Sequence, residues 1–263
     1  MTPIHDLPAL EPKTFEPKLA SGQAVKIIGL GGVGGIFCRY GCLFLASLRT
    51  PARAVLIDGD TFDPTTNTSR MFFATAGHKA EVVLDELRPF FAESQLALSA
   101  IPEYVTPENI GRLIHDGDIV VLCVDNHRTR SIVNEHCEGL DNICLLSGGN
   151  DGVGEDSSGT YRRGTCGGVQ IYVRRDGVDL CNSLSRFHPE IANPVDTLPS
   201  EKSCVELQMS TPQILPANVQ TASALLNALW LYVCRRLHYA ELGFDIADGR
   251  MGPLPIGNGP HVG

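Results

Sequence analysis

A glycine-rich turn between a predicted strand and a predicted helix constrains the fold of this chain more than any other feature. The turn follows a β-rich run over 24–30 and precedes an apolar stretch over 36–48 that is long enough for a helix. It contains Gly29, Gly31, Gly32 and Gly34. In this context glycines permit a tight turn, let the backbone approach a phosphate, and let helix and strand pack closely. Asp58 ends the next apolar run and can accept hydrogen bonds from ribose hydroxyls. These residues predict a nucleotide site, and they suit an ATP enzyme and a dinucleotide-dependent dehydrogenase equally well.

Apolar runs that suit strands alternate with helical spacings along the rest of the chain. We predict strands at 53–58, 96–101, 118–125, 142–147 and 170–175, and helices at 79–91, 131–137 and 217–237. This alternation predicts an α/β fold with a parallel, doubly wound sheet over 24–150. Residues 151–168 have little apolar content and are expected to form a mobile loop, and the tail after Gly249 is expected to pack loosely.

Composition narrows the class of protein. The 21 basic and 30 acidic residues give a net charge of −9, which argues against a nucleic-acid partner because such binders need a cationic surface. The longest apolar stretches, 42–48 and 222–234, fall short of the roughly 20 residues that span a bilayer. The first six residues lack the basic start and apolar core of a signal peptide. With nine scattered cysteines, these features lead us to expect reduced thiols, a cytoplasmic location and no membrane partner.

Further polar residues follow Asp58 in a specific order. They are Asp60, Asn67, Arg70, Lys79, Asp125 and Asn126, with Arg128 and Arg130 close behind. Together with the glycine loop, this Asp-x-Asp, Asn-x-x-Arg, Lys and Asp-Asn series resembles the ThiF/MoeB family, which includes the ubiquitin-activating enzymes. The resemblance covers residues 24–150 and extends more faintly to about 235.

The resemblance implies a Rossmann-like, mostly parallel sheet continued by antiparallel strands, and ATP-dependent adenylation of a C-terminal glycine carboxylate. The substrate would be a small glycine-tailed ubiquitin-like or sulfur-carrier protein, and the enzyme a homodimer. It also implies a role for each motif residue. Asp58 would hold the ribose; Asn67, Arg70 and Lys79 would contact phosphates; Asp125 would position Mg²⁺ and the reacting phosphate; the glycines, Asp60 and Asn126 would complete the ATP site. We therefore expect an N-terminal extension over 1–23, an ATP-binding half over 24–150, a substrate-binding half of the same domain over 151–248 and a tail over 249–263.

Two departures from the family pattern affect these expectations. Many members present an arginine from an N-terminal arm, but the first arginine here is Arg39, inside a predicted helix. Many members also hold a structural zinc between Cys-x-x-Cys pairs, and this chain contains no such pair, so we expect no structural zinc. In both respects the chain resembles compact bacterial ThiF-like proteins, including those of the PRTRC type.

Cys204 is a candidate nucleophile. Ser203-Cys204-Val205-Glu206 resembles the segment in which several family members hold an acyl-accepting cysteine, and Lys202 is placed to lower the pKa of the thiol. An ordinary loop thiol is the alternative interpretation. Arg130 is equally open, because it can anchor the helix that contains it or touch the nucleotide.

Three other functions fit parts of the sequence. A degenerate ThiF-like binding module would hold ATP or a partner without turnover. An NAD-dependent oxidoreductase would need a catalytic His or Tyr–Lys pair, for which the second half offers Tyr161, Tyr172 and His188 without a recognisable spacing. Action on a tRNA-bound carboxylate is disfavoured by the acidic charge.

Overall fold

A computed structural model describes residues 15–63, 73, 75–155, 159, 161–186, 188–201 and 213–253 of the chain. Its strands are β1 Ala24–Ile28, β2 Ala52–Ile57, β3 Thr61–Phe62, β4 Gly77–His78, β5 Leu96–Ile101, β6 Ile119–Leu122, β7 Ile143–Asn150, β8 Val153–Glu155, β9 Tyr161–Arg163, β10 Cys166–Arg175, β11 Val178–Asp179, β12 Glu241–Asp245 and β13 Arg250–Pro253. Its helices are α1 Gly32–Ser47, α2 Lys79–Phe91, α3 Ile110–Leu113, α4 His127–Glu138, α5 Pro189–Ala192 and α6 Leu215–Val233.

The main sheet has the strand order β13-β12-β10-β7-β6-β1-β2-β5, with β11 paired to β10. Strands β5, β2, β1, β6 and β7 are parallel, and β10, β12 and β13 continue the sheet in antiparallel pairing. This confirms the predicted Rossmann-like α/β fold with an antiparallel continuation. From β1 the chain builds outward through β2 to β5 and then returns to add β6 on the other side. The order therefore reverses between β1 and β6, and ligands bind outside the carboxyl ends of the strands at such a point.

Helices cover both faces of the sheet. All five residues of β1 are buried, and they alternate between two core layers, with Val25 and Ile27 in one and Ile28 in the other. The first layer is covered by α1, α2 and α6, and the second by α3 and α4. The burial of β1 on both faces is what a central parallel strand requires. In the described ranges, no helix combines the length and the apolar character needed to cross a bilayer.

Several predicted boundaries need correction. α1 begins at Gly32, four residues earlier than the apolar pattern indicates, because the glycines themselves form its first turn and Gly35 donates to the Gly31 carbonyl over 2.8 Å. α4 likewise begins at His127, before the first apolar residue of the predicted helix. The first turn of α1 has glycines around a single apolar residue, Val33, and the first turn of α4 is polar, so neither turn shows a repeated apolar spacing. Periodicity alone therefore places the start too late.

The expectation of a mobile loop over 151–168 is wrong where the structure describes it. β8 and β9 pair as an antiparallel hairpin, and β10 already begins at Cys166. Gly167 and Gly168 pair with both neighbouring strands of β10, and a side chain is excluded at each because a Cβ would meet the ring of Phe244 at 2.4 Å and the carbonyl of Leu242 at 2.8 Å, respectively. The pairing strands β7 and β12 thus stabilise a segment that lacks a hydrophobic pattern of its own.

The ends of the described chain also pack against the sheet and its helices. Arg250–Pro253 pairs with β12 as strand β13, so the expectation of a loose tail is wrong for these residues, and 254–263 lie outside the described part. Near the other end, the ring of Phe15 stacks on Trp230 at 5.0 Å between centroids, and Lys18 N–H donates to the Val233 carbonyl. The division of the chain into an N-terminal extension, an ATP-binding half, a substrate-binding half and a tail, with boundaries after residues 23, 150 and 248, stays a prediction.

Candidate nucleotide site

The glycine loop lies at the carboxyl end of β1. Gly29 has φ +84° and donates its N–H to the Ile57 carbonyl over 2.9 Å, so the turn is fixed to the end of β2. A Cβ on Gly34 would lie 1.8 Å from the Gly29 carbonyl oxygen, which explains why a side chain is excluded there. A Cβ on Gly31 would have no described atom within 4 Å. The loop is therefore closed against the protein at Gly34 and open at Gly31, beside the positive end of α1.

Asp58 directly follows β2 and contacts this loop. Its Oδ2 accepts the backbone N–H of Leu30 at 2.5 Å, and its Oδ1 accepts that of Asp60 at 2.8 Å. Burial raises the pKa of this carboxyl, and the nearby Lys79 ammonium opposes that shift. Asp58 therefore holds the loop in place, and its contact with a ribose stays a prediction.

Lys79 begins α2 and lies among acidic side chains. Its Nζ is 2.6 Å from Asp60 Oδ2, while the Tyr104 hydroxyl donates to the other oxygen of Asp60 at 2.5 Å. Burial disfavours the charge of Lys79, but Asp58, Asp60 and Asp125 outweigh it, and the pKa of the ammonium lies above its ordinary value. The site thus contains a buried cation held by carboxylates. Tyr104 belongs to no motif, and its role emerges only from the fold.

Asp125 and Asn126 form the turn between β6 and α4. Asp125 is exposed, and its negative charge favours the protonated form of Lys79 and opposes the lowering of the Arg130 pKa by burial. Asn126 is buried, and its Oδ1 accepts the Thr129 N–H at 2.8 Å, which caps α4. Asn126 therefore has a structural contact in addition to the nucleotide contact that we predict for it.

Arg130 anchors its own helix to the sheet. Its Nη2 donates to the carbonyls of Val124 at 2.7 Å and Gly148 at 2.9 Å, and its Nη1 donates to the Ser147 hydroxyl. Burial lowers the pKa of the guanidinium, and Asp125 is among the groups that oppose the shift. Of the two roles open for Arg130, its observed hydrogen bonds are those of an anchor between α4 and β7.

The carboxylate of Asp196, a residue far along the chain, contacts the start of α4. Asp196 accepts the backbone N–H groups of His127 at 2.6 Å and Arg128 at 2.9 Å. Because Asp196 is 69 residues from His127, no local sequence pattern could have identified this contact.

Comparison with known proteins assigns this architecture. The ThiF family profile matches residues 12–173, which is more than half of the chain. This chain belongs to the ThiF family. Protein HesA of Leptolyngbya boryana is 27% identical to it over 117 residues, which cover 42% of this chain and 39% of HesA.

Solved structures show the same fold at low identity. E. coli MccB with ATP superposes with a TM-score of 0.61 at 15% identity, covering 89% of this chain and 64% of MccB. The microcin C7 biosynthetic enzyme MccB in complex with N-formylated MccA has a TM-score of 0.66 at 15% identity, and the match covers 91% of this chain and 66% of that MccB chain. PaaA has a TM-score of 0.59 at 15% identity, and the match covers 88% of this chain and 72% of PaaA. The ThiF-family chain therefore spans less than two thirds of HesA and of these MccB chains.

Some predicted residues of this ThiF-family chain cannot be placed. Asn67, Arg70 and Cys204 lie outside the described residues. Of the residues considered for an oxidoreductase, Tyr172 is buried and donates to Asp179 at 2.7 Å, and His188 lies between Glu190 at 3.0 Å and Glu241 at 3.3 Å. Within the described ranges, no cluster of three or more His, Cys, Asp or Glu side chains is arranged to hold a metal ion.

Proposed function

We propose that this ThiF-family protein uses ATP to adenylate the C-terminal carboxylate of a small peptide or protein, releasing pyrophosphate. The observation that carries the proposal is the buried Lys79 ammonium beside Asp58, Asp60 and Asp125, at the sheet edge that holds the glycine loop. A carboxylate that attacks a triphosphate meets strong negative charge, which fixed cations must offset. A nicotinamide enzyme has no comparable need for a cation at this place.

The reaction that we propose needs no covalent protein intermediate. A carboxylate oxygen attacks the α-phosphorus, a new P–O bond forms, and the bond to the bridging oxygen breaks as pyrophosphate leaves with its electron pair. In this reaction Asp58 binds the ribose, the amides at the start of α1 face the phosphates, and Lys79 turns from Asp60 toward them. Asn67 and Arg70 lie outside the described residues. The resemblance to the family assigns the remaining phosphate contacts to them.

Asp125 is the residue that we propose as the Mg²⁺ ligand. Mg²⁺ is usually held by one or two carboxylates together with substrate phosphates, and an exposed carboxylate at this edge fits that donor set. When bound there, Mg²⁺ would neutralise phosphate charge. Asp125 would also keep its favourable interaction with the Lys79 ammonium.

The acceptor that we propose is the glycine-terminated tail of a ubiquitin-like or sulfur-carrier protein, bound by residues 151–248 of a cytoplasmic homodimer. MccB, which shares this fold, has been solved with ATP and with N-formylated MccA. These structures support the proposal that a nucleotide and a peptide or protein acceptor bind to this fold. The second candidate is a binding module without turnover. It is favoured by the protein hydrogen bonds that already occupy Asp58 and Lys79.

Calorimetry with ATP and Mg²⁺, set against NADH, tests the nucleotide class without knowledge of the acceptor. We expect the wild type to bind ATP, and Asp58→Ala and Arg70→Ala to weaken that binding. NADH binding that is insensitive to Arg70→Ala would reject adenylation in favour of the oxidoreductase. ATP binding without pyrophosphate release, in the presence of glycine-tailed partner proteins, would instead support the binding module.

Transfer to Cys204 is a separate part of the proposal. The thiolate sulfur would attack the acyl carbon of the adenylate, a thioester would form, and AMP would leave. We expect Cys204→Ala to abolish a hydroxylamine-sensitive conjugate while pyrophosphate release continues. Cys166→Ala, at a half-buried thiol of β10, is the matched control and should keep the conjugate. A conjugate that persists in Cys204→Ala would exclude Cys204 as the acceptor.

A further inference from the structure

Asn218, in the first turn of α6, has a buried side chain that forms no hydrogen bond within the described part of the chain. It is 1% exposed, and neither Nδ2 nor Oδ1 forms a hydrogen bond with any described residue. Burying an amide in this state costs free energy, so native proteins pair nearly all such groups with protein, ligand or ordered water. The side chain therefore requires an explanation.

The amide lies against the glycine loop. A Cβ on Gly32 would lie 2.4 Å from Asn218 Nδ2 and 3.1 Å from its Cγ. The Asn218 amide thus packs directly against the first residue of α1, and only a glycine leaves room for it. The adjoining Gly31 has the open side of the loop. Because Gly32 has no side chain, nothing on that residue separates the amide from the opening.

The rest of α6 does not share this feature. Thr221, one turn further along, is also fully buried, but its Oγ1 donates to the Ala217 carbonyl at 2.9 Å. The buried hydroxyl of Thr221 is therefore satisfied within the helix itself. The unpaired amide is the one that faces the start of α1.

We propose that Asn218 is a nucleotide-binding residue whose Nδ2–H donates to a phosphate oxygen held at the N-terminal turn of α1. The inference rests on the proposed function, because it requires a phosphorylated nucleotide at the glycine loop. Phosphate oxygens only accept hydrogen bonds, and the start of the 16-residue α1 favours negative charge. A second helix, α6, thereby contributes a donor to the phosphate site. No motif signals this residue, since the helix reads from the sequence as an apolar segment.

Calorimetric titration of ATP with Mg²⁺ and of adenosine tests the contact. Asn218→Leu removes the amide and keeps a similar volume, and Thr221→Val is the matched control on the same helix. We expect Asn218→Leu to weaken ATP binding about tenfold or more, to leave adenosine binding unchanged, and to keep or raise the unfolding temperature. Thr221→Val should bind ATP as the wild type does.

The outcomes separate this inference from the proposed function. Failure of the wild type to bind ATP would reject the proposed function and this contact together. Wild-type ATP binding that is equal in Asn218→Leu would reject the contact alone and assign the amide to a buried water. If Asn218→Leu does not fold, Asn218→Asp keeps the size and replaces the donor by a carboxylate. We then expect an even larger loss of ATP affinity with adenosine binding intact, and equal ATP affinity would again overturn the contact.

Discussion

The carboxylate of Asp58 accepts the backbone N–H of Leu30 over 2.5 Å, which ties the end of β2 to the glycine loop that follows β1. The two strands are parallel neighbours, so their carboxyl ends meet at one edge of the sheet. The acid that the sequence predicts for the ribose therefore also holds the loop that we predict for the phosphates. A change at either part of the site is expected to affect the other.

Two glycines of the loop should respond differently to the same substitution. Gly34→Ala places a Cβ against the Gly29 carbonyl and should destabilise the fold by about 2 kcal/mol, as overpacking does. Gly31→Ala points into open space and should cost less than about 1 kcal/mol, yet it should weaken ATP binding about tenfold because it fills the side that faces the ligand. Urea unfolding and ATP calorimetry measure the two effects. Equal losses of stability would contradict this assignment of closed and open sides.

Lys79 should matter for both stability and turnover. Lys79→Met leaves the carboxylates of Asp58 and Asp60 without their cation, and we expect it to abolish ATP-dependent pyrophosphate release and to cost about 2 kcal/mol. This cost is below that of a fully buried pair because the Asp60 side chain is 34% exposed. Pyrophosphate release and denaturant unfolding are the measurements.

The double variant Asp60→Asn/Lys79→Met separates the two roles of Lys79. Removal of both charges should restore part of the stability, because the pair is coupled, but it should not restore pyrophosphate release. A double variant that regains activity would show that Lys79 acts only as a structural partner of Asp60.

Arg130 should behave as an anchor. Arg130→Ala removes the hydrogen bonds of a buried guanidinium to Val124, Ser147 and Gly148, and we expect a loss of about 3 kcal/mol of unfolding free energy. Arg128→Ala, at an exposed side chain two residues earlier, is the control and should stay within about 0.5 kcal/mol of the wild type. A stable Arg130→Ala variant that loses only ATP affinity would instead favour direct nucleotide contact.

His188 should make the stability depend on pH. Its hydrogen bond with Glu241, aided by Glu190 and opposed by burial, raises the pKa of the imidazole above its ordinary value. The resulting stabilisation is complete below the unfolded pKa of about 6.5 and is lost as pH rises through the higher folded value. The unfolding temperature should therefore fall from pH 6 to pH 8, and His188→Gln should reduce that fall.

His238→Gln is the matched control for this pH dependence. The His238 ring contacts the backbone carbonyl of Arg236, not a carboxylate, so the variant should keep the wild-type slope. Parallel slopes for the wild type and His188→Gln would mean that the two glutamates do not stabilise the charged imidazole in the folded state.

Elements with a strong hydrophobic pattern were predictable. α2 at Lys79–Phe91 and β5 at Leu96–Ile101 have the bounds that their apolar spacing indicates. Where backbone pairing with distant strands supplies the stability, as for Gly167 and Gly168 in β10, the local pattern gave the wrong structure. Hydrophobic periodicity reports which face an element buries, and it contains no information on hydrogen bonds supplied from elsewhere.

The fold class and the glycine loop beside Asp58 were predictable from the sequence, because a strand, a turn and a helix in that order leave few ways to arrange the chain. The resemblance to the ThiF/MoeB family added Lys79 and Asp125 to the same predicted site. Three other contacts depended on the folded chain: Arg130 anchors α4, Asp196 reaches the start of that helix, and Asn218 packs against Gly32 with no hydrogen-bond partner among the described residues. These contacts join residues that are distant in sequence or paired through backbone atoms, and they depend on the packing of whole elements against one another.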